Sequence, residues 1–232
     1  MESRIRVLEK IYNVYETFTA DLDLSCGKGC SFCCTCNVTL TGLEAAYLLD
    51  SLDKETRTRL FETLNRHFPE ERFIPQTTTN RFAELCINGQ EAPQEENDPS
   101  WGTCPLLENE LCTVYRARPF GCRSLISETL CSETGYARIP PLALTVNNVF
   151  LQYIEHIDHG GIFGNLSDVL SFFSTDRGRR DYKKADGSFD WIEKRDRIKD
   201  RLLKNRKIPA LLVPPEHKSE VMPLVKEISN ID

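Results

Sequence analysis

Nine of the ten cysteines in this 232-residue chain fall in two blocks. The first block reads Cys26-Gly-Lys-Gly-Cys30-Ser-Phe-Cys33-Cys34-Thr-Cys36, and the second holds Cys104, Cys112, Cys122 and Cys131. Grouped thiolates suit soft, four-coordinate ions and iron–sulfur clusters, which need several sulfurs within a few ångströms. Loops with glycine turn tightly because glycine tolerates positive φ, and they let backbone N–H groups point at sulfur. Five cysteines in eleven loop residues beside Lys28 and Ser31 do not make the apolar stripe of a core, so they do not act simply as small buried hydrophobes. Two such blocks, far apart in the chain, would clip distant segments together around bound metal.

The adjacent pair Cys33-Cys34 bears on stoichiometry. Neighbouring side chains point to opposite faces of an extended segment and diverge by about 100° in a helix. The pair is therefore not expected to bind one ion, and it is poorly placed to form a disulfide with itself. Two alternatives stay open: two metal sites, or one site with a spare or redox-active thiol. Arg118 and Arg123 flank Cys122 and are candidate cofactor-binding residues. Four thiolates around a divalent ion leave about two negative charges, which guanidinium groups offset while donating to sulfur. Pro119 stiffens the approach to Cys122 by fixing its own φ.

The rest of the chain must position these residues. With 40% apolar and 28% charged residues and a net charge of −6, the composition is that of a globular protein rather than a disordered one. Val149–Ile154 and Ala210–Val213 are the longest apolar stretches, far short of the roughly 20 residues that cross a bilayer. No membrane association is expected. The start, Met-Glu-Ser-Arg-Ile-Arg, lacks the apolar core of a secretory signal. A cytoplasmic location follows as the expectation, and in that reducing setting grouped cysteines are metal ligands or catalytic groups more often than disulfides.

Apolar residues at three- and four-residue steps predict a helix over 3–22, from Ile5 through Phe18. Thr41-Gly-Leu-Glu44 reads as a capping box that starts another helix. Asp53 opens a third, with Leu60, Phe61, Leu64 and Phe68 as its inner face. Residues 74–103 are polar and proline-punctuated, which predicts a long loop or insertion. A helical pattern runs from Ala143 to His159 and stops at Gly160-Gly161, and a short helix is expected at Leu166–Phe173. Over 176–207, thirteen Lys/Arg stand against seven Asp/Glu. Trp191, Ile198, Leu202 and Leu203 form the apolar seam of a helix expected there, followed by a short strand at Ile208–Val213 and a last helix at about 216–229. The expected fold is mainly α: a small loop-rich helical domain (1–175) organised around a cysteine-ligated metal centre, with a charged helical C-terminal extension (176–232).

In its cysteine pattern the chain resembles the YkgJ-type cysteine-cluster family, also called the CxxCxxCC or zinc- or iron-chelating domain. The resemblance rests on Cys26, Cys30, Cys33 and Cys34, then Cys104-Pro, Cys112 followed by Tyr115, Arg118-Pro119, Cys122-Arg123 and Cys131, and covers roughly residues 20–135. It implies a metal-chelating domain whose ligands are those eight cysteines. Similar cysteine domains occur in flagellin lysine methylases, where an iron–sulfur cluster is implied. Cys36 and Cys86 lie outside the pattern. Cys26-x-x-x-Cys30-x-Phe32-Cys33 also matches the cysteine spacing of radical S-adenosylmethionine enzymes. Those enzymes look like β/α barrels, whereas this chain reads as helix after helix and has no Gly-Gly-Glu segment.

Other candidates carry less. His156 and His159 sit one turn apart where a helix end favours them through its dipole. Gly160-Gly161-Ile-Phe-Gly164 lacks the strand–turn–helix context of a nucleotide fingerprint. The basic stretch at 176–207 interleaves acids and bases as a solvated helix does, so nucleic acid is not an expected partner. The sequence thus points to a protein binding an iron–sulfur cluster, 4Fe-4S foremost, that acts in electron transfer or a redox step with a redox or other protein partner. The alternatives are a non-catalytic zinc-binding module, in which metal supplies folding energy, and a methylase-like or radical S-adenosylmethionine enzyme.

Overall fold

The computed structural model describes residues 1–184 and 200–231. The first apolar stripe forms α1 (Glu2–Ala20), which turns Leu8, Ile11, Tyr12, Val14 and Tyr15 inward. After the first cysteine block, β1 (Thr39–Thr41) runs directly into α2 (Gly42–Asp50). The start of α2 is the capping box read from the sequence: Glu44 N–H donates to Thr41 Oγ1, and the Thr41 N–H donates to the Glu44 carboxylate. Asp53 caps α3 (Lys54–Arg66), whose Leu60 and Leu64 are buried.

Residues 74–103 depart from the expected loop, because α4 (Thr79–Ile87) lies within them. Its anchor is polar rather than an apolar stripe, so periodicity does not reveal it. Glu155 accepts the Thr78 hydroxyl and the Asn80 N–H, each at 2.7 Å, and holds α4 on the long helix α7 (Pro141–Ile157). Between them lies the second cysteine block. It contains a hairpin, β2 (Leu107–Glu108) with β3 (Leu111–Cys112), then the single turns α5 (Phe120–Arg123) and α6 (Cys131–Thr134). Asn109 and Glu110 turn the hairpin at φ 48° and 63°, the left-handed pair that a two-residue connection between twisted strands demands.

Gly160 and Gly161 end α7, and β4 (Ile162–Asn165), α8 (Leu166–Ser174) and α9 (Asp176–Lys184) follow. The helical seam expected around Leu202 and Leu203 is a strand instead. β5 (Leu202–Lys204) pairs antiparallel with Ile162–Gly164, and β4 pairs on its other side with β1, giving the order β1-β4-β5. Trp191 and Ile198, the other members of that seam, lie outside the described residues. Nor is there a strand at Ile208–Val213. The Gln152 side chain accepts the Leu212 N–H and donates to the Ala210 carbonyl, so those backbone groups are satisfied without a ladder. The chain closes with α10 (Lys218–Ser229).

The described residues are thus mostly helical, with one three-stranded and one two-stranded sheet. One apolar core lies among the larger sheet, α2, α3 and α8, around Leu40, Leu48, Leu64, Val169 and Leu170. The other lies among α1, α7 and α10, where Tyr15, Phe120 and Phe150 pack ring on ring at 4.7–5.8 Å. Tyr182 and Leu202 enter the first core and Val221, Val225 and Ile228 the second, so the C-terminal residues are part of the packed body. Among the described residues no helix is long and apolar enough to cross a membrane.

Candidate metal centre

Two backbone seams bring the cysteine blocks together. In the first, Ser25 N–H donates to the Ser127 carbonyl at 2.8 Å and the Ser25 hydroxyl to the Glu128 carbonyl at 2.8 Å, which sets Cys26 beside the turn leading to Cys131. In the second, Cys104 N–H donates to the Cys34 carbonyl and Cys36 N–H to the Gly102 carbonyl, both at 2.9 Å. The hairpin then carries Cys112 opposite Leu107, three residues past Cys104. Cys122 sits in α5, whose N-terminal N–H, that of Phe120, is held by Glu44. Asn165 fixes the exit of the first block by donating to the Cys36 and Phe73 carbonyls.

The result is a cavity of about 390 Å³ lined by Cys26, Cys30, Cys33, Cys34, Cys104, Cys112 and Cys122, together with Arg118 and Arg123. Cys131 is buried and does not line it, although its charge acts on Cys26. Tyr15, Leu24, Val38, Leu106 and Ile126 supply apolar wall. Among the described residues no three Cys, His, Asp or Glu side chains are gathered into a ready-made ligand set; the sulfurs line the walls.

The expected divergence of Cys33 and Cys34 does not hold, because their segment is neither extended nor helical. Cys34 N–H turns back to the Ser31 carbonyl and Thr35 N–H to that of Cys33, each at 2.9 Å. That turn sets the two thiols side by side. The interaction of the two thiols holds Cys33 protonated, with burial adding to the effect, and brings Cys34 below the usual thiol range.

Burial pushes four other lining thiols upward: Cys104 to about 11, Cys122 further, and Cys26 and Cys112 in the same direction. Backbone hydrogen bonds from Ser127, Leu106 and Val114 oppose the shift at Cys26, Cys104 and Cys112. At the last two the bonding residue lies two positions beyond the cysteine. Thiols so placed are poor nucleophiles, since the thiolate is the reactive form. A bound cation would convert them to thiolates and release their protons. The donor set therefore fits a thiophilic metal or cluster.

The two arginines part company. Arg118 stacks 4.1 Å from the Tyr115 ring centroid, and its positive charge favours the thiolates of Cys33, Cys112 and Cys122. Its Nε is buried without a protein partner, so it is a donor open to a ligand or a water. Arg123 is buried and engaged with the Glu16 carboxylate and the carbonyls of Arg116 and Arg118, over the Tyr12 ring. It braces the loop that carries Cys122. Cys36 is buried, with its sulfur 3.5 Å from the Glu71 carbonyl and from Asn37 Oδ1, and Cys86 is exposed on α4. His156 accepts the Ile208 N–H at 3.1 Å, as a helix-end residue does.

Glu44 belongs to the site through its hold on Phe120, beyond its capping role. The legible signal for Glu44 was the box itself; nothing local announced its bond to Phe120. No family model matches the chain, and neither a curated protein nor a solved structure does.

Proposed function

We propose that this protein is a cysteine-cluster metal protein that binds an iron–sulfur cluster, 4Fe-4S foremost, and serves electron transfer or a redox step. The observation that carries this reading is one cavity lined by seven thiols drawn from two blocks distant in sequence. The resemblance of the same cysteines to the YkgJ-type pattern agrees with it. A cluster would supply one-electron exchange, its potential set by hydrogen bonds to sulfur, net charge and solvent access.

The chain's own residues do the rest. The cysteines hold the metal, Arg118 offsets negative charge and offers an unused N–H, and the backbone at Ser127, Leu106 and Val114 bonds to sulfur. The apolar wall limits water at the inner thiols, while exposed Cys30 leaves the mouth open toward a redox partner. This function belongs in a reducing compartment, the cytoplasm, where the thiols stay free.

A second reading, a zinc-binding module that staples the fold, is favoured by the two backbone seams that run alongside the thiols. Iron and acid-labile sulfide analysis of anaerobically purified protein separates the two. Brown protein with broad visible absorbance and matched iron and sulfide is expected; colourless protein containing zinc alone would overturn the iron–sulfur assignment.

A further inference from the structure

Eight cysteines are twice the number that one tetrathiolate ion or one 4Fe-4S cluster takes from a protein. Their placement follows the two seams. Ser25 bonded to Ser127 and Glu128 brings Cys26 alongside the turn that opens into Cys131, and Cys30 N–H turns back to the Gly27 carbonyl. Cys34 bonded to Cys104, with the hairpin behind it, groups Cys104 and Cys112 next to Cys122. Cys33 and Cys34 stand side by side where the two groups meet.

We propose that the eight cysteines form two separate four-thiolate centres: an outer one of Cys26, Cys30 and Cys33 from the cavity wall with the buried Cys131 behind it, and an inner one of Cys34, Cys104, Cys112 and Cys122. This deepens the metal-centre reading and rests on it. The backbone agrees with the division: Cys34 and Cys104 are joined by a hydrogen bond, whereas Cys26 follows directly on the Ser25–Ser127 bond. The centres also differ in access. The outer one contains Cys30, the exposed thiol of the eight, while Cys122 of the inner one adjoins the apolar core. Metal should therefore leave the outer centre first.

The full chain, stripped of metal under reductant and kept anaerobic, is titrated with Co²⁺ alone, following the thiolate-to-cobalt charge-transfer band and total bound cobalt. Two equivalents are expected for the wild type, and excess chelator should remove them in a fast and a slow half. Cys30→Ser, which alters an exposed side chain and so spares the fold, should retain one equivalent and lose the fast half. Cys104→Ser, if it folds, should retain the other. Saturation at one equivalent, or a Cys30→Ser protein that binds either both or none, overturns the division whether or not Cys104→Ser folds. The outcomes separate this inference from the iron–sulfur reading. Two partitioned cobalt ions in a protein that never carries iron or sulfide would leave the division standing and the cluster fallen. A single indivisible equivalent, or no cobalt binding at all, in a protein that does carry them would do the reverse.

Discussion

Glu44 Oε1 accepts the backbone N–H of Phe120 at 2.7 Å and the Tyr12 hydroxyl at 2.9 Å. The same carboxylate closes the capping box of α2 through Oε2, which takes the Thr41 N–H at 2.8 Å. One buried side chain therefore starts two helices, and the second of them, α5, carries Cys122. The capping box is local and common; its reuse for a segment 76 residues away is a tertiary device.

Glu44→Gln would turn an amide N–H₂ toward groups that already donate. An unsatisfied buried polar group costs about 1–3 kcal/mol, and that loss should appear in denaturant unfolding. Metal bound per folded chain should fall as well, because Cys122 loses its anchor. A variant less stable but loaded as fully as the wild type would show that Glu44 serves the fold alone.

Arg72 and Asp168 form a bidentate pair at 2.8 and 2.7 Å, both side chains nearly fully buried. Arg72 also donates to the Pro69 and Glu70 carbonyls, so it ties the end of the α3 region to α8. Arg72→Leu leaves the buried carboxylate with the exposed Arg201 guanidinium at 3.8 Å, and losing one partner of such a buried pair costs about 3–5 kcal/mol. The double variant with Asp168→Leu should recover part of that loss in the same unfolding measurement. Additive losses would contradict a coupled pair.

Burial raises the Asp158 carboxyl to about 7, against hydrogen bonds from Tyr182, Leu43 and Asn205 that favour its charged form. A carboxyl raised above its unfolded value of 3.8 binds its proton more tightly when folded. Its contribution is complete below the unfolded value and is lost as pH climbs through about 7. Stability should therefore decline between about pH 4 and 7 on its account. Asp158→Asn, which does not titrate, should flatten that slope. An unchanged slope in urea unfolding between those pH values would count against the assignment.

Arg118 holds a positive charge near Cys33, Cys112 and Cys122. Arg118→Leu removes it, so the thiols deprotonate less readily and the pH midpoint of metal uptake moves upward. Partners of metal ligands typically change affinity by about 10–100-fold, and competition with a chromophoric chelator measures this. Arg118→Lys should recover only part, because it keeps the charge without the planar stack on Tyr115. Arg123→Leu should act mainly on stability, by freeing Glu16 and the carbonyls of Arg116 and Arg118.

Much of the helical frame was legible because its signals are local. The stripe from Leu8 to Tyr15, the Thr41–Glu44 box and the Asp53 cap each act within a few residues, where helix geometry alone fixes the partner. The cysteine blocks were legible for a different reason: the residue type itself announces the chemistry. Strand β5 was not, since Leu202–Lys204 becomes a strand only through the free edge of β4. α4 was missed because its hold on α7 runs through Glu155.

From sequence alone came the donor atoms, their two groupings and a mainly helical body to hold them. Tertiary structure decided which sulfur stands beside which. A turn at Ser31–Thr35 aligned Cys33 with Cys34, two backbone seams joined the blocks, and Arg118 rather than Arg123 kept an unspent donor at the cavity. The physical reason is range. Spacing along a chain governs neighbours within one turn, whereas contacts between remote segments depend on which backbone groups and apolar faces satisfy each other once the whole chain has folded.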